Sequence, residues 1–227
     1  YKLQNRIYQA AQRGDIKTYR RLQKLLLKSW YAKALAVRRV SQDNRGKKTA
    51  GVDGVKSLTP PQRLKLTIKL SLDDKADAIR RVWIPKPGKT EKRPLGIPTM
   101  RDRALQTLVK MAIEPEWEAR FEPNSYGFRA GRSCHDAIEA IIRSIKQVPK
   151  YALDADIASC FDKINHEALL SKLNTFPQLR RQIRAWLKAG VIEKEGYKKT
   201  EDGTPQGGAL SPLFANIALH GMEERIK

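Results

Sequence analysis

Apolar residues change their spacing along this chain, and that change limits the fold more than any other feature. Ile16, Tyr19, Leu22, Leu26, Trp30, Ala34 and Val37 recur at intervals of three and four, the period of one helix face. In "YALDADI", by contrast, Leu153, Ala155 and Ile157 alternate with Asp154 and Asp156, the period of a strand. A chain that carries both periods is mixed α/β, and here the helical pattern dominates the first part.

Local signals mark the other elements. Gly14 breaks the first helical run and Asp15 stands where an N-cap belongs. Val82 and Ile84 lead into Pro87-Gly88, and Leu95 and Ile97 lead out, which predicts a hairpin. Its tip carries Lys86, Lys89, Lys92 and Arg93, which fits either a solvated edge that resists aggregation or a cationic finger that closes on phosphates. A long helix is expected from about Arg101, with Leu105, Leu108, Val109, Ala112, Ile113 and Trp117 as its stripe. Ser133 should cap a helix whose core face is Ile138, Ile141, Ile142 and Ile145. Helices follow at about Asn165 to Leu173 and Ile183 to Leu187, then a strand, a Gly-rich loop and a last helix with Ser211 as N-cap and Pro212 at N1.

Charge narrows the function. Lys and Arg number 45 against 24 Asp and Glu, a formal net charge of +21 spread along the chain. That balance suits a long polyanion, and nucleic acid is the commonest one. An anionic membrane is the rival, but no apolar run is long enough to span a bilayer and no signal-like segment opens the chain. Opposite the first apolar stripe lie Lys17, Arg20, Arg21, Lys24, Lys28, Arg38 and Arg39, a face that fits a solvated helix surface or an RNA-facing one. Cys134 and Cys160 have no metal-ligand spacing, which fits a reducing intracellular setting, cytoplasmic or organellar. His135, His166 and His220 are scattered and are expected at the surface or as caps. The chain starts at Tyr1 without an initiator Met and is read as part of a longer protein.

Two stretches invite chemistry. As a strand, "YALDADI" would put both carboxylates on the face away from the core side chains, either salt-bridged to basic neighbours or holding a hard cation such as Mg²⁺. Asp162, further on, reads as a capping or structural acid. "GTPQGGALSP" lets backbone approach a ligand closely, because its glycines lack side chains; a tight strand-to-helix turn explains it equally well.

Together these segments resemble the reverse transcriptases encoded by group II introns, also called maturases. "NRGKKTAGVDGV" looks like that family's N-terminal extension loop, followed by "RRVWIPKPGKTEKRPLGIPT" and "PNSYGFRAGRSCHDAI". "LDADIASCFDKINH" resembles polymerase motif A and "GTPQGGALSPLFANIAL" resembles motif B. The resemblance implies a right-hand polymerase fold of the α/β (α+β) class: helical fingers with an N-terminal extension over 1–149, then a partial palm sheet with packed helices over 150–227.

It also implies roles. Asp156 matches the motif A aspartate that binds two catalytic Mg²⁺ ions, with the Ile157 carbonyl as a further ligand. Phe161 matches the aromatic gate that excludes a ribose 2′-hydroxyl. Lys86 and Arg93 match fingers residues that grip the incoming dNTP, and Gln206 would sit against the templating pair. Tyr126, Phe128 and Arg129 would shape the template path, while Lys24 and Arg38 belong to the RNA-facing helix surface. The implied partners are an RNA template with a DNA primer, dNTPs and group II intron RNA, with no membrane and with room for a homodimer. The family's aromatic-x-Asp-Asp turn is absent from these 227 residues, so the segment alone is expected not to polymerise. Two alternatives stay open: an RNA-binding splicing scaffold with vestigial polymerase chemistry, and a retron or CRISPR-associated reverse transcriptase.

Overall fold

The computed structural model describes residues 1–88, 90–146 and 149–226. Lys89, expected at the hairpin tip, and Lys227, the end of the expected palm span, lie outside the described residues. Helix α1 (Lys2–Gln12) ends before Gly14, and α2 (Ile16–Lys28) begins with the Asp15 carboxylate accepting from the Thr18 N–H at 3.0 Å. The stripe expected to continue to Val37 is interrupted: Ser29 is extended and α3 (Trp30–Arg38) restarts after it. Tyr19, Leu22, Leu26 and Val37 are buried, whereas Ile16 and Trp30 are exposed. The break at Ser29 resets the apolar face, so that Ala36 and Val37 carry it into the core in place of Trp30.

A widened helical turn (Arg39–Asp43) and a tight one (Arg45–Lys48) lead towards α4 (Pro60–Lys69), which opens with a Thr59–Gln62 capping box and Pro60 in its first turn. Strands β1 (Ile79–Pro85) and β2 (Lys92–Ile97) form the expected antiparallel hairpin, with Val82 opposite Leu95 and Ile84 opposite Arg93. Then come α5 (Met100–Glu118), α6 (Cys134–Ile145), a 3-10 turn (Cys160–Asp162), α7 (His166–Leu173) and α8 (Pro177–Leu187). A second hairpin, β3 (Val191–Glu193) and β4 (Gly196–Lys198), precedes α9 (Ser211–Leu219) and α10 (Met222–Ile226). β3 pairs parallel with β1, giving the sheet order β2-β1-β3-β4. The sheet thus joins residues on both sides of position 150, and one buried cluster runs from Ile7 to Ile217.

α5 is the central support, with Leu105, Leu108, Val109, Ala112, Ile113 and Trp117 all buried as its stripe predicts. Each of the Leu, Val and Ile side chains stabilises the fold by about 1.5–3 kcal/mol relative to exposure, and Ala112 by less. Pro115 lies inside this helix and lacks the N–H that the Met111 carbonyl would otherwise receive. The Gln4 side-chain amide of α1 donates to that carbonyl instead, at 3.2 Å, and so ties the two helices together.

Two expectations fail together. α6 forms with the Ser133–Asp136 capping box, yet Ile138, Ile141, Ile142 and Ile145 are each more than half exposed. Leu153–Ile157 forms no strand, and Leu153 and Ile157 are exposed. The cause is shared. A strand needs a hydrogen-bonding neighbour and an apolar helix face needs a second layer; no described strand flanks 153–157, and no described element packs extensively on α6. At α9 the N-cap is Leu210, one residue before the expected Ser211, whose hydroxyl donates to the Pro205 carbonyl at 2.6 Å.

Candidate nucleotide-binding site

Residues 161–166, the loop from Gly203 to Leu210 and strand β2 meet through a short ladder of hydrogen bonds. Thr204 N–H donates to the Phe161 carbonyl at 2.7 Å, and Gly203 N–H to the Ile164 carbonyl at 2.8 Å. The Gly203 carbonyl then accepts from His166 Nε2 at 2.7 Å. Gly203 has φ +84°, and a Cβ there would stand 2.7 Å from the Asp162 carbonyl oxygen, so no side chain fits between the two segments. One step further along the loop, Gly96 N–H of β2 donates to the Gln206 carbonyl at 2.6 Å. Gly207, at φ +114°, lies so close to the Gly96 carbonyl that a Cβ would collide with it. Gln106 of α5 accepts from Ala209 N–H at 3.1 Å and fixes the far end.

These contacts place several of the expected residues in one neighbourhood. Phe161 is half-buried and meets Phe128 edge-on, with centroids 6.1 Å apart at 76°. Phe128 is exposed and adopts φ +58°, a left-handed conformation that costs of order 1–3 kcal/mol outside glycine. Asn216 of α9 donates to the neighbouring Gly127 carbonyl at 2.8 Å, which ties that loop to the helix following the Gln206 loop. Between β1, β2, α8 and residues 199–206 lies a cleft of about 400 Å³ lined by Arg81, Trp83, Trp186, Thr204 and Gln206 among others.

Of the described cations at the hairpin tip, Lys92 and Arg93 are exposed and Lys86 is half-buried. Lys86 pairs with Glu91 at 2.7 Å across the turn, and that hydrogen bond and charge hold the Glu91 carboxyl below its ordinary range. Arg93 is exposed and makes no ion pair among the described residues. Tyr126 is half-buried, with the Arg132 guanidinium 5.4 Å from its ring centroid. Arg129 is buried: it bonds Glu118 through Nε at 3.1 Å and Nη2 at 2.8 Å, and donates from Nη1 to the Glu122 and Ser125 carbonyls. Its guanidinium is therefore engaged within the protein. On the N-terminal helices, Lys24 lies over the Phe176 ring at 5.1 Å, and exposed Arg38 is 3.6 Å from Asp43.

Asp154, Asp156 and Ile157 take no part in this ladder among the described residues, although Ile157 lines a second cleft with Ile164 and Asn165. All three are exposed, and neither carboxylate makes a hydrogen bond or ion pair among the described residues. Nor do any three His, Cys, Asp or Glu side chains converge to hold a metal ion among those residues. A pair of Mg²⁺ ions needs carboxylates gathered at one point, and the described residues supply Asp156 as one exposed carboxylate and not the whole set.

Sequence reasoning missed two residues. His166, expected at the surface or as a cap, is 3% exposed and supplies the third bond of the ladder. Arg103 is buried and donates to the Pro98, Gly46 and Thr49 carbonyls, joining the N-terminal extension loop to the root of the hairpin; burial pushes its pKa down. Neither has a clear local signal: His166 acts on Gly203, and two of the three carbonyls that Arg103 meets, Gly46 and Thr49, are far away in sequence. His220 does end α9, with Nδ1 2.7 Å from Glu122 and its ring edge-on to Trp117 and Phe121.

Comparison with known proteins supplies the family. The N-terminal domain of reverse transcriptase matches residues 1–70, and reverse transcriptase (RNA-dependent DNA polymerase) matches residues 84–227. The chain belongs to the reverse transcriptase family. It is 38% identical over 188 residues to the group II intron-encoded protein LtrA of Lactococcus lactis subsp. cremoris, covering 80% of this chain and 31% of the relative. It is 32% identical over 228 residues to protein YkfC of Escherichia coli (strain K12), covering 95% of this chain and 59% of the relative. The chain thus spans about a third of LtrA and less than two thirds of YkfC. Among solved structures, the partial Cas6-RT-Cas1--Cas2 complex aligns with a TM-score of 0.55 over 87% of this chain and 34% of that one, at 21% identity, a likeness of fold alone. Its mixed α/β architecture is that of the reverse transcriptase family. Among the described residues no helix is long and apolar enough to cross a membrane.

Proposed function

We propose that this chain forms the fingers (1–149) and part of the palm (150–227) of an RNA-directed DNA polymerase encoded by a group II intron, working inside the cell in a bacterial cytoplasm or an organelle. The observation that carries the reading is the ladder joining Phe161, Ile164 and His166 to the loop of Gln206, itself bonded to Gly96 of the hairpin that bears Lys86 and Arg93. In this reading Lys86 and Arg93 close on the triphosphate of a dNTP, Phe161 faces the sugar, and Gln206 faces the base pair formed with an RNA template. Rigid positioning and charge clamping are what nucleotidyl transfer asks of a protein. Asp156 and the Ile157 carbonyl keep their assignment to Mg²⁺ on the motif match alone. Assistance to splicing and mobility of the host intron RNA belongs to the same proposal.

Primer extension by the full-length protein tests it. Asp156→Asn should abolish extension on a primed RNA template while leaving RNA binding within about twofold; extension that survives the change refutes the assignment. Phe161→Ala should raise incorporation of ribonucleotides relative to deoxyribonucleotides, and unchanged sugar selectivity removes Phe161 from the site. The second reading, a splicing scaffold with vestigial polymerase, is favoured by an Asp156 carboxylate that has no hydrogen bond or ion pair among the described residues and by the acid-free run from Ile16 to Gln42. It predicts RNA binding and splicing with no extension by the unmutated protein.

A further inference from the structure

The start of α3 carries a feature that the polymerase reading does not use. Trp30 is 53% exposed and Tyr31 is 81% exposed, and their rings meet edge-on with centroids 5.5 Å apart at 87°. A single exposed aromatic ring needs no explanation. Two adjacent rings that brace one another in solvent are different, because both could have been turned into the core by one change of register. The extended backbone at Ser29, which separates α2 from α3, is what presents them.

Their surroundings are strongly cationic. No Asp or Glu occurs from Ile16 to Gln42, while Lys or Arg recurs throughout that run. Lys17, Lys28, Lys33 and Arg39 make no ion pair among the described residues. Arg38 lies seven residues after Tyr31, on the same helix face, and its pair with Asp43 at 3.6 Å is solvent-exposed and so contributes little. Aromatic faces beside free cations match the chemistry of a nucleic-acid strand whose bases are unpaired: the rings stack on bases and the cations meet phosphates. A duplex offers phosphates but hides its base faces. A bilayer surface fits less well, because it asks for a broad apolar helix face. The other exposed aliphatic residues of α2, Ile16 and Leu25, are nine residues apart and fall on opposite sides of that helix.

We propose that Trp30 and Tyr31 form a stacking site for unpaired bases of single-stranded RNA, with Lys28, Lys33 and Arg38 holding the flanking phosphates. This rests on the RNA-binding part of the proposed function and names what that surface selects.

The test compares binding of a short unstructured RNA oligonucleotide with binding of a duplex RNA of the same length, across a salt series. The Trp30→Ala/Tyr31→Ala double variant should lose about ten- to a hundred-fold in affinity for the single strand. Its duplex affinity should stay within about twofold, and its slope of log affinity against log salt should not change, since no phosphate contact is removed. Trp30→Phe/Tyr31→Phe should restore single-strand binding, and Lys28→Gln/Lys33→Gln should weaken both ligands and flatten the salt slope. Equal losses on both RNAs, or no loss on either, overturn the site. So does a double variant that loses binding to phosphatidylserine vesicles while keeping single-stranded RNA. Primer extension by the full-length unmutated protein separates the two readings: if it extends primers while the double variant shows no selective loss of single-strand binding, this site alone is refuted. An unmutated protein that binds no RNA refutes both.

Discussion

His166 is where the ladder can be tested most directly. Its Nε2 is 2.7 Å from the Gly203 carbonyl, which can only accept, so Nε2 donates this bond. Nδ1 is buried and has no partner among the described residues, so a substitution has no second hydrogen bond there to lose. His166→Ala leaves the buried Gly203 carbonyl unpaired, at about 1–3 kcal/mol. It also opens a gap of roughly 60 Å³, which adds about 1.5 kcal/mol at about 24 cal/mol per Å³. The expected loss is therefore about 2.5–4.5 kcal/mol. His166→Gln keeps a donor of similar reach and most of the volume, so it should lose about 1–2 kcal/mol. Urea unfolding at neutral pH measures both, with midpoints that fall while the m-value holds. In heat, at about 2–4 °C per kcal/mol for a chain of this size, the Ala variant should melt about 5–18 °C lower and the Gln variant by less than half of that. Equal destabilisation by Ala and Gln would show that ring packing, not the bond to Gly203, holds the two segments together.

Asp102 gives a pH signature. It is 1% exposed, and burial raises its pKa above the usual 3.8 despite hydrogen bonds from Asp77 N–H and Trp186 and the charge of Arg101. The folded state therefore holds the proton more tightly than the unfolded one, and this group's contribution to stability falls as pH rises from about 3.8 through the raised folded value. Urea midpoints measured from acid to neutral pH should show the stability of Asp102→Asn rising relative to the parent across that window and then levelling. A difference that is constant or shrinks with pH contradicts the assignment. In the 227-residue chain, Ile141→Ser on the exposed face of α6 should change stability by less than about 0.5 kcal/mol, whereas Leu108→Ala in α5 should cost about 2–5 kcal/mol. A large loss at Ile141, read in the same urea titration, would mean that its face is covered in solution.

What could be read from the sequence divides by range. The Asp15 cap, the Pro87-Gly88 hairpin and the α5 stripe are decided within a few residues of themselves, and each forms where the pattern puts it. Ile138 to Ile145 and Leu153 to Ile157 show the limit of periodicity: the pattern states what an element would bury, but burial needs a second layer that the pattern cannot supply. The same limit applies to the site. Motif order brings Phe161 and Gln206 to attention, yet the ladder that relates them depends on Gly203 and His166, whose partners lie about forty residues away. Phe128 and Arg129 make the point at its smallest scale. Both stand in one aromatic and basic loop, and the family resemblance treats them alike as shaping the template path. The left-handed backbone at Phe128 turns its ring outward against Phe161, while the next residue turns inward to Glu118, whose carboxylate and two nearby carbonyls occupy the guanidinium. An exposed ring at a left-handed residue and a guanidinium engaged by the loop's own carbonyls thus stand side by side, a difference that neighbouring residue types alone do not encode.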